Sequence, residues 1–158
     1  MSALFMFKKG ESMKVIELSD YIINYCDYKQ RKISNITLQK ILYFVQGYYV
    51  SNFGKLLFDE RIDKWGYGPT VPLAYYHFAT QKLDDDRFVT STSYAILPLK
   101  KNEIELIDLV IEHCLAYRPS SLVALSQETL PVSCVHEGDT ISTLTMKFYF
   151  REKNPLGI

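Results

Sequence analysis

The sequence has no excess of charge of either sign. Its 18 basic residues balance 18 acidic residues, which gives a formal net charge of zero at pH 7. A protein that binds nucleic acid usually carries a basic surplus that neutralises phosphates. The local run from Lys29 to Lys32 is instead typical of a solvated helix end. The charge balance therefore argues against a nucleic-acid partner.

Long hydrophobic runs are also absent. The stretch ILYFVQGYYV is interrupted by Gln46 and Gly47 and is shorter than the roughly 20 residues that cross a bilayer. At the N-terminus the apolar residues precede the lysines, which is the reverse of a secretory signal. We expect no membrane association and a cytoplasmic location.

Cysteine is scarce and follows no metal-binding pattern. The three cysteines, Cys26, Cys114 and Cys134, are odd in number, which favours free thiols in a reducing cytoplasm over a disulfide framework. We expect these thiols to be buried like ordinary apolar side chains.

Signatures of metal binding are weak. His113 and Cys114 could join Cys134 and His136 as four zinc ligands, but paired zinc ligands usually have two to four residues between them. Cys134 and His136 could alternatively form the nucleophilic pair of a small enzyme. A metal site is a weaker interpretation than ordinary buried thiols, and we expect no cofactor.

Signatures of catalysis are equally weak. Asp59, Glu60 and Asp63 could serve acid–base catalysis, although a charged turn explains them more simply. Gly66 and Gly68 lack the later glycine and the strand–helix context of a phosphate-binding loop. The sequence therefore favours a protein that is not an enzyme.

The length and composition suit a single globular domain. The chain has 158 residues, enough to bury a core, and is 47% hydrophobic and 23% charged. Met13 begins MKVIELSDYI, which reads like a natural opening. We therefore expect residues 13–158 to form one domain and residues 1–12 to be an N-terminal extension.

Apolar periodicity predicts a mainly α, compact domain of about five to six helices with a short central β-hairpin or extended segment. The strongest helix is TLQKILYFVQGYYVSNFG, whose apolar stripe is wide enough to contact two neighbours. Thr37 is its expected N-cap, and Gly54 falls just past its end. Two further helices are predicted in the first half of the chain, one over 18–28 and one begun by Pro72, with two extended pieces within 55–68 between α-helical segments. A polar loop at 84–86 and a short strand within 88–98 follow. The last three helices are one opened by Asn102 and Glu105 as a capping box, a short one from Ser120 or Ser121 that Pro131 stops, and a final one from Asp139 or Thr140.

The segment DKWGYGPTVP holds the only tryptophan, Trp65, beside a turn rich in glycine and proline. In a structural interpretation Trp65 is a core anchor that packs on the central helix. Gly66 or Gly68 then supplies a turn with positive φ, and Pro69 fixes its exit. In a functional interpretation Tyr67 and its loop also present a rigid aromatic recognition surface. The predicted partner-binding residues are Tyr67, Gly68 and Pro69.

Residues 38–78, LQKILYFVQGYYVSNFGKLLFDERIDKWGYGPTVPLAYYHF, resemble the Panacea domain family, which is also known through phage-associated proteins. The stretch LQKILYFVQG looks like the family's Leu-Gln-Lys helix, and GKLLFDERIDKWGYGPTVP looks like its Trp and Gly-Pro segment. The resemblance extends more loosely over nearly the whole chain from Met13. It marks Gln39, Leu42, Tyr43 and Trp65 as residues of the structural motif.

The resemblance implies a mostly helical fold and an antitoxin that binds and neutralises a toxin encoded beside it. Some relatives look like adaptors that hand a toxin to a protease, so an adaptor or scaffold is the alternative. A small enzyme using Cys134 and His136 is a further alternative. The chain departs from the family where Gln127 and Pro131-Val132 replace a His and a Pro-Trp pair. A difference in partner specificity is expected if those positions contact the partner.

Overall fold

The computed structural model describes residues 12–79 and 87–158. Within those ranges the chain forms seven helices and one antiparallel two-stranded hairpin, which confirms the mainly α prediction. The polar loop predicted at 84–86 and residues 1–11 lie outside the described residues. The elements are α1 (Val15–Tyr28), α2 (Asn35–Phe53), β1 (Asp63–Trp65), β2 (Gly68–Thr70), α3 (Pro72–Ala79), α4 (Lys101–Leu115), α5 (Pro119–Glu128), α6 (Leu130–Ser133) and α7 (Thr143–Lys153).

Helix α2 is the centre of the fold, as its wide apolar stripe predicted. Every residue from Thr37 to Ser51 is buried, and the helix contacts α1, α3, α4, α5, α7 and β2. Its N-cap is Ser34, not Thr37, because the Ser34 hydroxyl accepts a hydrogen bond from the Thr37 amide at 3.2 Å. Gly54 ends the helix in the left-handed region, with φ of 71°, as predicted. Neither α2 nor any other helix of the described residues is long and apolar enough to cross a membrane.

The core beside α2 is largely aromatic. Phe150 of α7 lies edge-on to Tyr43, Phe44 and Tyr48, with ring centroids 5.6, 6.0 and 5.0 Å away. Such edge-to-face pairs add about 0.5–1.5 kcal/mol to the free energy gained by burial. The aromatic richness of the sequence therefore contributes to the contact between α2 and α7.

The chain that leaves α2 is held by Gln46. The amide nitrogen of this side chain donates to the Phe58 carbonyl at 2.7 Å, and its oxygen accepts from the Leu57 amide at 2.9 Å. Leu57 and Phe58 are buried, so Gln46 satisfies backbone groups that have no strand or helix partner. The Met13 amide donates to the Leu57 carbonyl at 3.1 Å.

The capping box predicted at Asn102 and Glu105 is wrong by two residues. Helix α4 begins at Lys101, and the Glu103 carboxylate accepts from the Lys100 amide at 3.0 Å. A glutamate three residues after the cap serves this purpose wherever it occurs. Because a lysine side chain accepts no hydrogen bond, Glu103 forms only half of a capping box, and the residue type at position 100 did not indicate the start of the helix.

Helix α5 ends before Pro131, as predicted, because its C-cap is Thr129 and a proline two residues later cannot continue the helix. Helix α5 runs from Pro119, one or two residues before the predicted Ser120 or Ser121, to Glu128. Pro131 lies in the first turn of α6, where a missing amide proton costs no hydrogen bond.

The strand predicted within 88–98 does not form. The buried carboxylate of Asp20 in α1 accepts from the amide of Thr92 at 2.7 Å and from its hydroxyl at 2.9 and 3.0 Å. The Asn24 side chain donates to the Ser93 carbonyl at 3.1 Å. Side chains of α1 thus bind backbone groups of this segment, and no neighbouring strand is available to pair with it among the described residues.

Candidate interaction site

Two neighbouring side chains of α2 hold the strand β2 and its exit. The Gln39 oxygen accepts from the Val71 amide at 2.9 Å, and the Lys40 ammonium donates to the Pro69 carbonyl at 2.8 Å. The Gln39 nitrogen is fixed in turn by Asn35 at 2.9 Å. The Leu-Gln-Lys part of the motif therefore docks its Gly-Pro part onto the central helix.

A segment far along the chain supports the other side of the hairpin. The Lys64 amide donates to the Asp139 carbonyl at 2.9 Å, and the Gly138 amide donates to the Lys64 carbonyl at 2.7 Å. Asp63 forms an isolated β-bridge with Thr140, whose hydroxyl donates to the Asp63 carboxylate at 2.9 Å. Strand β1 is therefore paired on both sides.

This pairing corrects the predicted start of the last helix. Asp139 and Thr140 are bonded to β1 and do not begin α7. Ser142 is the N-cap of α7, and its hydroxyl accepts from the Thr145 amide at 3.2 Å. The sequence carried no local signal for this contact between distant segments.

The hairpin reverses over Gly66 and Tyr67. Gly68 follows with φ of 98°, which confirms that a glycine supplies a positive φ here. A Cβ on Gly68 would lie 3.1 Å from the Ser126 hydroxyl and 3.2 Å from Cγ of Gln127. The Gln127 side chain also donates to the Gly66 carbonyl at 3.1 Å. Helix α5 thus packs directly against the turn.

Aromatic side chains line the hairpin and the helix that follows it. Tyr67 at the tip is 66% exposed. Trp65 contacts the rings of Tyr75 and Tyr76, with centroids 5.1 and 5.7 Å away. Tyr76 is itself 59% exposed. The hairpin and α3 therefore present aromatic surface to solvent.

Trp65 differs from the sequence-based prediction of a core anchor on α2. Its side chain is half-buried, and its ring contacts are with the tyrosines of α3. Strand β1 ends at Trp65, so the ring lies at the turn end of the hairpin. The other motif residues are buried: Leu42 and Tyr43 are fully enclosed, and the Tyr43 hydroxyl shares a 2.6 Å hydrogen bond with Thr129.

Lys40 is a site residue that sequence reasoning did not single out. Its side chain is 1% exposed, and among the described residues its one hydrogen bond is to Pro69. Burial lowers the pKa of its ammonium group to about 7, and no neighbouring charge is a cause. The signal in the sequence that could have identified Lys40 was a lysine among the apolar residues of the central helix.

The cysteines divide into two environments. Cys26 and Cys114 are buried, as predicted, and burial raises the pKa of the Cys26 thiol to about 12. Cys134 is exposed, so the expectation of burial is wrong for it. The His136 side chain is 99% exposed, and its amide donates to the Asp139 carboxylate at 2.9 Å. Across residues 12–79 and 87–158, no group of three or more His, Cys, Asp or Glu side chains could hold a metal ion.

The acidic turn has structural hydrogen bonds. Asp59 accepts from the Ser12 hydroxyl at 2.6 Å, and Asp63 accepts from Arg61 at 3.0 Å. Asp59 thus contacts a residue just before α1, and Asp63 contacts Arg61 within the turn. Both hydrogen bonds agree with the interpretation of a charged turn.

The fold and this site define a helical domain of an antitoxin family. The chain belongs to the antitoxin SocA-like, Panacea domain family, whose profile matches residues 38–131, more than half of its length. The matched range contains α2 from its fourth residue onward, the hairpin, α3, α4 and α5. Membership confirms the resemblance found in the sequence and supports an antitoxin role.

A particular relative is Antitoxin SocA of Caulobacter vibrioides (strain NA1000 / CB15N). It is 38% identical over 47 residues, which are 30% of this chain and 25% of that relative. The match thus spans about a quarter of the length of the curated relative. No solved structure matches this chain.

Proposed function

We propose that this protein is an antitoxin that neutralises a toxin, encoded by a neighbouring gene, by binding it directly. We place part of the binding surface at the turn of residues 66–69, with Tyr67 at its tip. Family membership supports the antitoxin role. The observation that carries the location is an exposed tyrosine on a turn that α2, α5 and the 138–141 segment hold in place.

A rigid turn is suited to binding because little conformational freedom remains to be lost when a partner docks. Tyrosine is enriched among the residues that dominate interface energy, since its ring is large and has few rotatable bonds. Among the described residues the ring of Tyr67 has no aromatic partner, whereas Trp65 has two. A bound protein could therefore bury the Tyr67 ring, which no other ring of the described residues covers.

The test is co-expression with the adjacent gene, scored by growth rescue and by co-purification of the two products. Tyr67→Ala should weaken binding by about 5- to 30-fold, which corresponds to roughly 1–2 kcal/mol. Tyr28→Ala is the matched control, because Tyr28 is 83% exposed at the far end of α1. Circular dichroism checks that each variant is folded.

Two results would count against this function. If the wild-type chain neither rescues growth nor retains the neighbouring gene product, the antitoxin proposal fails. If it does both but Tyr67→Ala binds as well as Tyr28→Ala, the antitoxin role stands and the interface lies elsewhere.

The second candidate function is an adaptor that delivers the toxin to a protease. Such an adaptor needs a second binding surface, separate from the one that holds the toxin. The observation that favours it is the exposure of Tyr94 and Ile96, 93% and 95%, on the segment that Asp20 and Asn24 fasten to α1. A Tyr94→Ser, Ile96→Ser double variant should then keep toxin binding and lose toxin degradation. Unchanged degradation would remove the reason for this candidate.

A further inference from the structure

Lys40 lies beneath the turn that carries Tyr67. Its ammonium group donates to the Pro69 carbonyl at 2.8 Å, and its Cε is 3.6 Å from the point where a Cβ of Gly68 would be. The Ser126 hydroxyl of α5 lies 3.1 Å from the same point. Lys40 of α2 and Ser126 of α5 thus both lie against Gly68, while Tyr67 at the tip stays exposed.

The burial of Lys40 is costly for stability. A fully enclosed ammonium group has lost its water, and here one protein hydrogen bond replaces it among the described residues. The pKa lowered to about 7 has burial as its cause, with no carboxylate in compensation from α2, β2 or α5. An unbranched apolar side chain such as methionine would fill similar space without this cost.

Among the described residues, the hydrogen bond that buried Lys40 makes is with the turn. Gln39, the preceding residue, holds the Val71 amide, so the exit of β2 stays attached to α2 without Lys40. Lys40 instead bonds the carbonyl of Pro69, two residues after Tyr67. Lys40 therefore attaches β2 at its turn end, close to the tip, whereas Gln39 attaches the exit of the strand.

We propose that Lys40 is a positioning residue that fixes the turn in the orientation in which Tyr67 meets the partner. This inference rests on the proposed function, because it assigns a role within the same binding surface. It predicts a separation that an ordinary core residue would not show: replacing Lys40 should weaken binding without weakening the fold.

The experiment compares Lys40→Met with Lys101→Met, which removes the same charge from a side chain that is 93% exposed on α4. Three quantities are measured on the full chain: the free energy of unfolding, acrylamide quenching of Trp65 fluorescence, and affinity for the co-expressed product of the adjacent gene. Trp65 is the only tryptophan and pairs with Gly68 across the hairpin, so its quenching reports on the turn without a partner.

Lys40→Met should be at least as stable as the wild type at pH 7, should show increased quenching of Trp65, and should bind the partner about 5- to 30-fold more weakly. Lys101→Met should match the wild type in quenching and affinity. Lys40→Leu is the second variant, in case methionine packs poorly.

Three results would overturn the proposal. The first is a folded Lys40 variant whose affinity for the partner is within twofold of the wild type. The second is quenching of Trp65 that does not change. The third is a loss of stability in both Lys40 variants, because Lys40 would then be a structural residue. Absence of partner binding by the wild-type chain is a different failure, that of the proposed function, and the quenching result still decides whether Lys40 positions the turn.

Discussion

A Cβ on Gly47 would overlap the ring of Phe150. The two residues lie in the contact between α2 and α7, and only a glycine leaves room for the ring there. Phe150 is 2% exposed and lies against Tyr43 and Tyr48, so its ring has little space to move aside. The glycine that interrupts the apolar run of α2 is therefore required by packing.

Gly47→Ala should lower the free energy of unfolding by about 1–2 kcal/mol. Alanine gains about 1 kcal/mol over glycine in a helix interior, but forcing a methyl group into a packed core costs typically 1–3 kcal/mol, and occasionally more. The contact is shorter than any ordinary Cβ contact, so the cost should exceed the gain. Chemical denaturation measures the difference.

The control for Gly47→Ala is a double-mutant cycle with Phe150→Ala. Once the ring is removed, the same alanine should no longer destabilise and should show its helix propensity instead. An equal loss of stability in both backgrounds would mean that the ring is not the obstacle.

Gly68→Ala should cost more stability than Gly138→Ala. Both glycines have nearly the same φ, 98° and 95°, so the backbone strain of about 1–2 kcal/mol is common to both. A Cβ at Gly138 would meet nothing within 4 Å, whereas at Gly68 it would meet Ser126 and Gln127. The difference between the two variants in thermal or chemical unfolding isolates that contact. Equal costs would show that α5 can yield to the turn.

Lys40 should give the protein a distinctive pH dependence. Its pKa in the folded state, about 7, is below its ordinary value of 10.5. Between these values the unfolded chain binds the proton that the folded chain has lost, so stability should rise with pH from about 7 towards 10. Below pH 7 both states are protonated and the burial cost is fully present.

The measurement is the free energy of unfolding of the wild type and Lys40→Met at several values between pH 6 and 9.5. The variant should be more stable by about 1–3 kcal/mol at the acidic end, because one pKa unit corresponds to 1.36 kcal/mol and the lost Pro69 hydrogen bond offsets part of the gain. The advantage should shrink as pH rises. Parallel curves would contradict a lowered pKa for Lys40.

The central helix could be predicted from sequence because its signals are local. A wide apolar stripe from Leu38 to Tyr49 and a glycine at its end suffice to place α2, and Pro72 places α3. The positive φ of Gly68 was one of two possibilities offered by a Gly-Tyr-Gly turn. These features depend on residues within a few positions of one another.

The support of the candidate site could not be predicted because it comes from distant segments. Lys64 pairs with Gly138 and Asp139, and Gln127 reaches the carbonyl of Gly66. Loop closure over such distances leaves no periodic trace in the sequence. The assignment of Trp65 to α2 failed for another reason: its ring contacts Tyr75 and Tyr76 of α3, and a single tryptophan outside a helical period carries no signal for the element it packs on.

Trp65→Ala should cost less stability than Phe58→Ala. Phe58 is fully buried, and truncation of such an aromatic costs about 3–5 kcal/mol. Trp65 keeps part of its surface exposed and packs against two tyrosines, so we expect a smaller loss, about 2–3 kcal/mol. Chemical denaturation of the two variants under the same conditions makes the comparison. A larger loss at Trp65 would restore it as the anchor of the middle segment.

The last prediction concerns the enzyme alternative. A Cys134→Ala, His136→Ala double variant should keep the wild-type fold, because Cys134 is exposed and the His136 side chain is 99% exposed. The His136 amide, which alanine retains, keeps its hydrogen bond to Asp139, and the variant loses only the solvent-exposed contact of the ring nitrogen Nδ1 with that carboxylate at 3.6 Å. If the protein neutralises its toxin by binding alone, growth rescue and affinity in this variant should stay within a few fold of the wild type. Loss of rescue with binding intact would instead require chemistry at these two side chains, and the proposal of neutralisation by binding would have to be abandoned.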